Sequence, residues 1–252
     1  KAYINEFGDG IKDSEESERK SKLTAYALEK NIESLKRDTG KYGITYDKWF
    51  FESSLHESGK VNEVIELLKK NGYTYEKEDA LWFKATEFGA EKDVVLIRSN
   101  SYPTYFASDI AYHKDKIDRG FDMLINIWGA DHHGHVARMK GALSAIGEDG
   151  DKLTVILMQL VRLIKDGEPY KVSKRSGKAV TLTDLLEDIG CDAARFFFNI
   201  RQANTHFDFD LDLAISNSND NPVFYVQYAH ARICSIIANM EELTTLVAEE
   251  NG

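Results

Sequence analysis

The first ninety residues combine helical and strand-like patterns of apolar positions. Apolar residues recur at helical spacing in the charge-rich stretch 14–37 and again in 61–70 (VNEVIELLKK), which Asn71 and Gly72 end. Aromatic and polar residues then alternate through 73–88, which indicates short antiparallel strands. This part of the chain therefore predicts a mixed α+β segment.

From residue 94 onward, short apolar runs alternate with helical patterns. The runs predicted as buried strands are 94–98 (VVLIR), 123–128 (MLINIW) and 154–164, and the predicted helices between them are 105–119 and 136–146. Strands that alternate with helices predict a parallel α/β sheet. In such sheets, ligands bind beyond the carboxyl ends of the strands.

Helices dominate the last seventy residues. The pattern predicts helices at 182–189, at 193–200 with Asp192 as N-cap, and at 221–240 with Pro222 in the first turn. We find no internal repeat and no low-complexity tract.

Composition limits the classes of protein to consider. The 252 residues are 42% hydrophobic and 29% charged, which is typical of a soluble globular chain. No apolar run reaches the roughly 20 residues that span a bilayer, and the first residues lack the apolar core of a secretory signal. Two distant cysteines exclude a disulfide scaffold and indicate reduced thiols in the cytoplasm. Since the chain does not begin with Met, we expect it to be a piece of a longer protein.

Charge is distributed unevenly along the chain. The net charge is −10, which does not favour nucleic-acid binding by the chain as a whole. The stretch 165–178 nevertheless holds five cations against Asp166 and Glu168. It predicts a local cationic loop in an acidic protein.

Tyr105 and Asp109 form the first candidate site. Residues four apart share a face of a helix, so the phenol and the carboxylate should point the same way. A carboxylate can bind a guanidinium through two parallel hydrogen bonds, and an aromatic ring can lie against the same cation. By itself the spacing is common, and a surface Asp beside a half-buried Tyr is the simpler interpretation.

The stretch 129–135 (GADHHGH) forms the second candidate site. It follows a predicted strand and opens a helix, so backbone N–H groups and the positive helix end face the site. Such a turn can hold a ribose or a phosphate, with Asp131 accepting from hydroxyls. A metal site is the alternative, but side chains within five residues do not easily converge on one ion, so no metal is assigned. The stretch also matches the H-x-G-H signature of class I synthetases.

The stretch 171–177 (KVSKRSG) is the third candidate site. Closely spaced cations and small residues in a loop before a helix suit a polyphosphate. The alternative is a solvated basic loop. A Walker A loop is excluded because its spaced glycines are missing.

Together these stretches resemble the arginyl-tRNA synthetases of class I. KVSKR is similar to the KMSKS loop of class I synthetases, with Val172 and Arg175 departing from it. YFASDIAYHKDK resembles the family's arginine-binding helix, and GADHHGHVARMKGAL resembles the strand-to-helix turn that follows it. FDFDLDLA and NPVFYVQYAHARI resemble the linker and the opening of the anticodon-binding domain. The resemblance runs from about residue 28 to about residue 240.

The resemblance implies an α/β fold in three parts. Residues 1–93 would be an inserted α+β segment, and 94–205 the second half of a Rossmann-like parallel sheet with the KMSKS-like loop. Residues 206–252 would be a linker and the first helices of an α-helical anticodon-binding domain. Because the H-x-G-H match follows the arginine-binding helix, we interpret it as the second-half turn. The family's HIGH motif is then expected to be missing from this chain.

The resemblance also implies an activity. A member of this family uses ATP and Mg²⁺ to activate arginine as arginyl-adenylate, and then transfers it to tRNA(Arg). We expect a cytoplasmic monomer without membrane contact, and we expect the chain alone to be inactive. Two alternatives stay open, namely a non-catalytic synthetase-like RNA-binding or regulatory module and a class I synthetase for another amino acid.

Residue roles are carried over from the family by position. The expected catalytic residues are Lys171, Ser173 and Lys174. The expected arginine-binding residues are Tyr105, Asp109 and His132. The expected ATP-binding residues are Gly129, Asp131, His135 and Lys174, and the expected tRNA-binding residues are Tyr225, Gln227, Tyr228 and Arg232.

Overall fold

The structure is a computed structural model that describes residues 1–171 and 179–250, with side chains as far as residue 240. The helices in these residues are α1 (Ala2–Phe7), α2 (Glu16–Lys41), α3 (Ser53–Glu57), α4 (Lys60–Lys70), α5 (Tyr105–Asp118), α6 (His133–Ala145), α7 (Leu182–Ile189), α8 (Cys191–Asn199), α9 (Leu211–Ile215) and α10 (Pro222–Glu250). The strands are β1 (Thr74–Lys77), β2 (Ala80–Phe83), β3 (Val94–Ile97), β4 (Leu124–Gly129), β5 (Leu153–Met158), β6 (Val161–Lys165), β7 (Glu168–Pro169) and β8 (Phe207–Asp210). No helix in these described residues is long and apolar enough to cross a membrane.

The chain forms two compact units. The first, called here the cavity unit, comprises Lys48–Val161 and Gln202–Phe207. The second, called the helical unit, comprises Lys1–Asp47, Arg162–Arg201 and Asp208–Gly252. The division by function at residues 93 and 205 stays a prediction, because these units are defined by contacts and not by role.

Helix α4 shows how the amphipathic pattern is used in the cavity unit. Val61, Val64, Ile65 and Leu68 are all buried, so the predicted apolar face lies in the core. Where the helix ends, the Asn71 side chain donates to the Ala145 carbonyl at 2.8 Å. The residue that ends α4 thus also ties it to α6.

The strand at 94–97 has a different neighbour from the one predicted. β3 pairs antiparallel with β2, which pairs antiparallel with β1, in a three-stranded sheet of order β1-β2-β3. The prediction of a parallel partner was wrong for β3. A run of four apolar residues predicts a strand but carries no information about the direction of its neighbour.

The cavity unit contains a parallel pair of strands. β4 and β5 run parallel from Leu124 opposite Leu153 to Gly129 opposite Met158, and α6 connects them. The α/β prediction is confirmed here. The prediction that this strand is buried holds for only one face of β4. On the other face, Ile125 and Ile127 are 56% and 64% exposed.

The predicted strand 154–164 is divided in two. β5 ends at Met158 and β6 begins at Val161, and between them the Gln159 N–H donates to the Ala203 carbonyl at 2.9 Å. Gln159 therefore takes its backbone partner from a different segment. The apolar run alone does not show this change.

In the helical unit, β6 and β7 form a hairpin, and β6 also neighbours β8. Asp166 and Gly167 connect the hairpin with positive φ at both residues, which a type I′ turn requires. The Arg162 guanidinium donates to both carboxylate oxygens of Asp208, at 2.7 and 2.8 Å. This bidentate pair links β6 to β8.

The helices that follow have distinct start signals. Thr181 and Asp184 form a capping box at the start of α7. Helix α8 begins at Cys191 with Gly190 as its N-cap, so the predicted N-cap, Asp192, lies instead in the first turn. There a carboxylate still favours the helix electrostatically.

Candidate functional site

A cavity of about 740 Å³ lies in the cavity unit between α5 and the edge of β4. Helix α5 contributes one wall, formed by Tyr105, Phe106, Asp109, Tyr112, His113 and Lys116. Residues 125–128 of β4 and His132 and His135 beyond it contribute the other. The volume is in the range of about 300–1,000 Å³ that small-molecule sites have.

Helix α5 is fixed on its opposite face. Ala107, Ile110 and Ala111 are fully buried against the core. At its start, Thr104 Oγ1 donates to the Val95 carbonyl at 2.7 Å, and its N–H donates to the Leu96 carbonyl at 2.8 Å. The core and β3 thus set which side of the helix faces the cavity.

Tyr105 and Asp109 lie on the same wall of this cavity, as their spacing predicts. Tyr105 is exposed and Asp109 is half-buried. Asp109 Oδ2 lies 3.5 Å from His135 Nε2, across the cavity on α6. The carboxylate is therefore positioned by the fold and accessible to a ligand.

In the turn after β4, Gly129 lies close to the Asp131 carboxylate. A Cβ at Gly129 would lie 2.4 Å from Asp131 Oδ1, so a larger residue there would displace that exposed carboxylate from the strand end. Asp131 Oδ2 in turn lies 3.7 Å from His132 Nε2. Gly129 and Asp131 are not among the described residues that line the cavity, whereas His132 and His135 are.

His135 is held by two aromatic neighbours. Its ring centroid lies 5.4 Å from that of Phe106 and 5.2 Å from that of Trp128. The His132 ring is 6.5 Å from it. No group of three or more His, Cys, Asp or Glu residues in the described part of the chain is arranged to hold a metal ion.

A network of polar groups runs along the wall of the cavity. His113 Nδ1 lies 2.7 Å from the Asp109 carbonyl, and Asn126 Nδ2 lies 2.6 Å from His113 Nε2. Lys116 Nζ donates to Asn126 Oδ1 at 3.3 Å and lies 4.2 Å from the centre of the Tyr112 ring. Burial lowers the pKa of both His113 and Lys116.

Sequence reasoning missed these residues, although the sequence carries a signal for them. His113 and Lys116 continue the stripe that begins at Tyr105 and Asp109, at helical spacing. Asn126 is the single polar residue in the run MLINIW. A polar residue in a strand that is otherwise apolar indicates a partner in the core.

The predicted catalytic loop lies mostly beyond the described part of the chain. Lys171 is described and is exposed after β7, in the helical unit. Ser173 and Lys174 lie in 172–178, outside the described residues. Their roles stay predictions.

The predicted tRNA-binding residues lie on one helix of the helical unit. All four are exposed on α10: Tyr225, Gln227, Tyr228 and Arg232. Gln227 Nε2 donates to Asp192 Oδ2 on α8 at 3.4 Å. The structure thus places these side chains at a surface, and their role stays a prediction.

A family model described as the catalytic domain of class I tRNA synthetases (R) matches residues 14–216. The chain belongs to this family. Among curated relatives of this synthetase chain, the arginine–tRNA ligase of Caldanaerobacter subterraneus subsp. tengcongensis is 60% identical over 244 residues, and that of Heliobacterium modesticaldum is 58% identical over 242. Each alignment covers 96% of this chain and 43% of the relative. The resemblance found in the sequence is confirmed.

Solved structures agree with this assignment. A crystal structure from Campylobacter jejuni is 38% identical to the synthetase chain with a TM-score of 0.86, covering 94% of this chain and 51% of that one. Thermus thermophilus arginyl-tRNA synthetase, at 21% identity and a TM-score of 0.69, shares the fold over 95% of this chain and 51% of its own. The synthetase chain therefore spans about half or less of each of these four proteins.

Proposed function

We propose that this chain is part of an arginine–tRNA ligase, a cytoplasmic and monomeric enzyme that activates arginine with ATP and transfers it to tRNA(Arg). The observation that carries the proposal is that Tyr105 and Asp109 line one cavity together with His132 and His135. Because the chain spans 43% of its curated relatives, the activity and substrates belong to the proposal.

Arginine would bind through its guanidinium. The Asp109 carboxylate accepts two parallel charge-assisted hydrogen bonds from the planar guanidinium, and the Tyr105 ring lies against the same cation. The ammonium of lysine is compact and lacks two parallel N–H donors, so it would satisfy the carboxylate with fewer hydrogen bonds. His132, on the facing wall, would contact the rest of the amino acid.

ATP would bind beside it, with Mg²⁺ arriving as the counterion of its phosphates. The arginine carboxylate attacks the α-phosphate and pyrophosphate leaves, so the protein contributes positioning and charge stabilisation. We assign the adenosine side to Gly129, Asp131 and His135. Lys174 would stabilise the phosphate charge, with Lys171 and Ser173 supporting it.

Transfer RNA would contact the surface of α10. Exposed tyrosines offer ring faces on which bases stack, and an exposed arginine offers a partner for phosphate. Tyr225 and Tyr228 fit the first role, and Arg232 fits the second. Gln227 would contribute hydrogen bonds.

Asp109→Ala in the full-length enzyme that contains this sequence tests the arginine site. Each lost charge-assisted hydrogen bond is worth about 1.5–3 kcal/mol. The Asp109 side chain is 47% exposed, so the lower value applies. Two bonds give about 3 kcal/mol, which raises the arginine KM about 100-fold. The ATP KM should change little.

Both constants are measured by ATP–pyrophosphate exchange in the presence of tRNA. Asp118→Ala is the matched control, because it removes a carboxylate from the last turn of the same helix, outside the cavity lining. Equal increases in both KM values would refute the guanidinium role of Asp109. Binding of tRNA without any exchange activity would favour the non-catalytic RNA-binding module.

A further inference from the structure

The polar network along the cavity wall contains side chains with little access to water. His113 is 3% exposed and Asn126 is 9% exposed. Buried polar groups of this kind are held in one arrangement by their partners, since an unsatisfied partner costs free energy. The directions of these hydrogen bonds therefore determine where the protons are.

Lys116 determines the direction of the hydrogen bonds in this network. An ammonium can only donate, so the atom of Asn126 that faces Lys116 Nζ must be the oxygen. The amide nitrogen then faces His113 Nε2 and donates to it. At the other side of the ring, the Asp109 carbonyl can only accept, so His113 Nδ1 carries the proton.

We propose that Lys116 and Asn126 hold His113 in its uncharged Nδ1–H form, and that Asn126 is thereby a positioning residue that keeps the Asp109 carboxylate free for a substrate cation. This inference rests on the proposed function. An imidazolium one helical turn from Asp109 would compete for that carboxylate with the incoming guanidinium.

The groups around His113 support an uncharged ring. Asp109 and Lys116 face it from α5, His135 faces it from α6 and Asn126 from β4. Burial of the ring lowers the His113 pKa most, and the Lys116 ammonium lowers it further, whereas Asp109 acts in the opposite sense. Lys116 itself donates to the Asn126 oxygen and lies over the Tyr112 ring, while its charge also interacts with Asp109.

Asn126→Asp is the informative variant, because it keeps the shape and removes the donor. A carboxylate at 126 accepts from Lys116 with one oxygen and requires a proton on His113 Nε2 for the other. Side-chain ¹⁵N NMR of the 252-residue chain measures directly which nitrogens of the His113 ring are protonated. The His113 signals are assigned by their absence in His113→Gln. At neutral pH the native ring should be uncharged with its proton on Nδ1, and the variant should hold an imidazolium.

Asn100→Asp is the matched control. Asn100 is exposed, lies in the same unit outside the cavity lining, and accepts from the Tyr102 N–H, which an aspartate also does. The control adds the same charge and should leave the His113 spectrum and both KM values unchanged.

In the full-length enzyme, Asn126→Asp should raise the arginine KM about tenfold, with the ATP KM within about twofold. A native His113 that is an imidazolium at neutral pH, or that carries its proton on Nε2, would overturn the inference, whether or not the variant folds. So would a variant with an imidazolium and an unchanged arginine KM. If Asp109→Ala leaves the arginine KM unchanged, the proposed function itself fails, whatever the state of His113.

Discussion

The carboxylate of Asp115 connects two helices of the cavity unit. Its Oδ1 accepts from Lys60 Nζ on α4 at 2.5 Å, and its Oδ2 lies 3.1 Å from Arg119 Nε. The side chain is only 10% exposed. Asp115→Ala should therefore destabilise the unit that carries the candidate site.

The size of the effect follows from burial. Removing one partner of a buried ion pair costs about 3–5 kcal/mol, because the remaining charge is left without compensation. Lys60 and Arg119 are themselves about a third exposed and can turn toward water. Oδ2 also forms no hydrogen bond with any described residue. Both facts favour the lower end of this range of about 3–5 kcal/mol, so we expect Asp115→Ala to lower the free energy of unfolding by about 3 kcal/mol.

Tryptophan fluorescence is a suitable probe for this loss. The three tryptophans of the chain, Trp49, Trp82 and Trp128, all lie in the cavity unit. Urea unfolding followed by their emission therefore reports this unit, and linear extrapolation gives its free energy of unfolding.

Asp118→Ala provides the comparison. Asp118 pairs with Lys114 at 2.8 Å on the same helix but is 45% exposed, and such surface pairs contribute about 0.3–0.5 kcal/mol. If Asp115→Ala costs no more than Asp118→Ala, burial does not determine the strength of the Lys60–Asp115 pair, and the reasoning is wrong.

Two further predictions use the same fluorescence assay. Because the His113 pKa is lowered in the folded chain, the unfolded chain binds more protons below about pH 6.5, and stability should fall there. His113→Gln should reduce that fall, and an unchanged pH profile would contradict it. Gly141→Ala should cost about 1–3 kcal/mol, since its Cβ would lie 2.5 Å from Phe88 Cβ. Gly134→Ala on the same helix meets nothing within 4 Å and should be stabilising, so equal effects would refute the steric argument.

Local periodicity was sufficient to predict the helix that carries the site. Tyr105 and Asp109 fall on one wall because an α-helix repeats every 3.6 residues, whatever surrounds it. For the same reason α7 was predicted at its observed bounds. Family motifs added the order of the stretches, which periodicity does not contain.

Contacts between distant segments were not predictable in this way. The direction of β3 depends on β2, and the Asn126–His113 bond joins a strand to a helix. The Lys60–Asp115 pair spans 55 residues. Each depends on how elements pack, which neither the spacing nor the composition of a single segment determines.

The exposed isoleucines of β4 affect which ligand side chains the cavity accepts. Ile125 and Ile127 line it opposite the charged groups of α5. If arginine binds as proposed, its three methylenes can lie along these aliphatic side chains while its head reaches the helix. The strand would then select amino acids by the length of their side chains, and the helix would select them by charge. Each kind of selectivity can therefore be altered without the other.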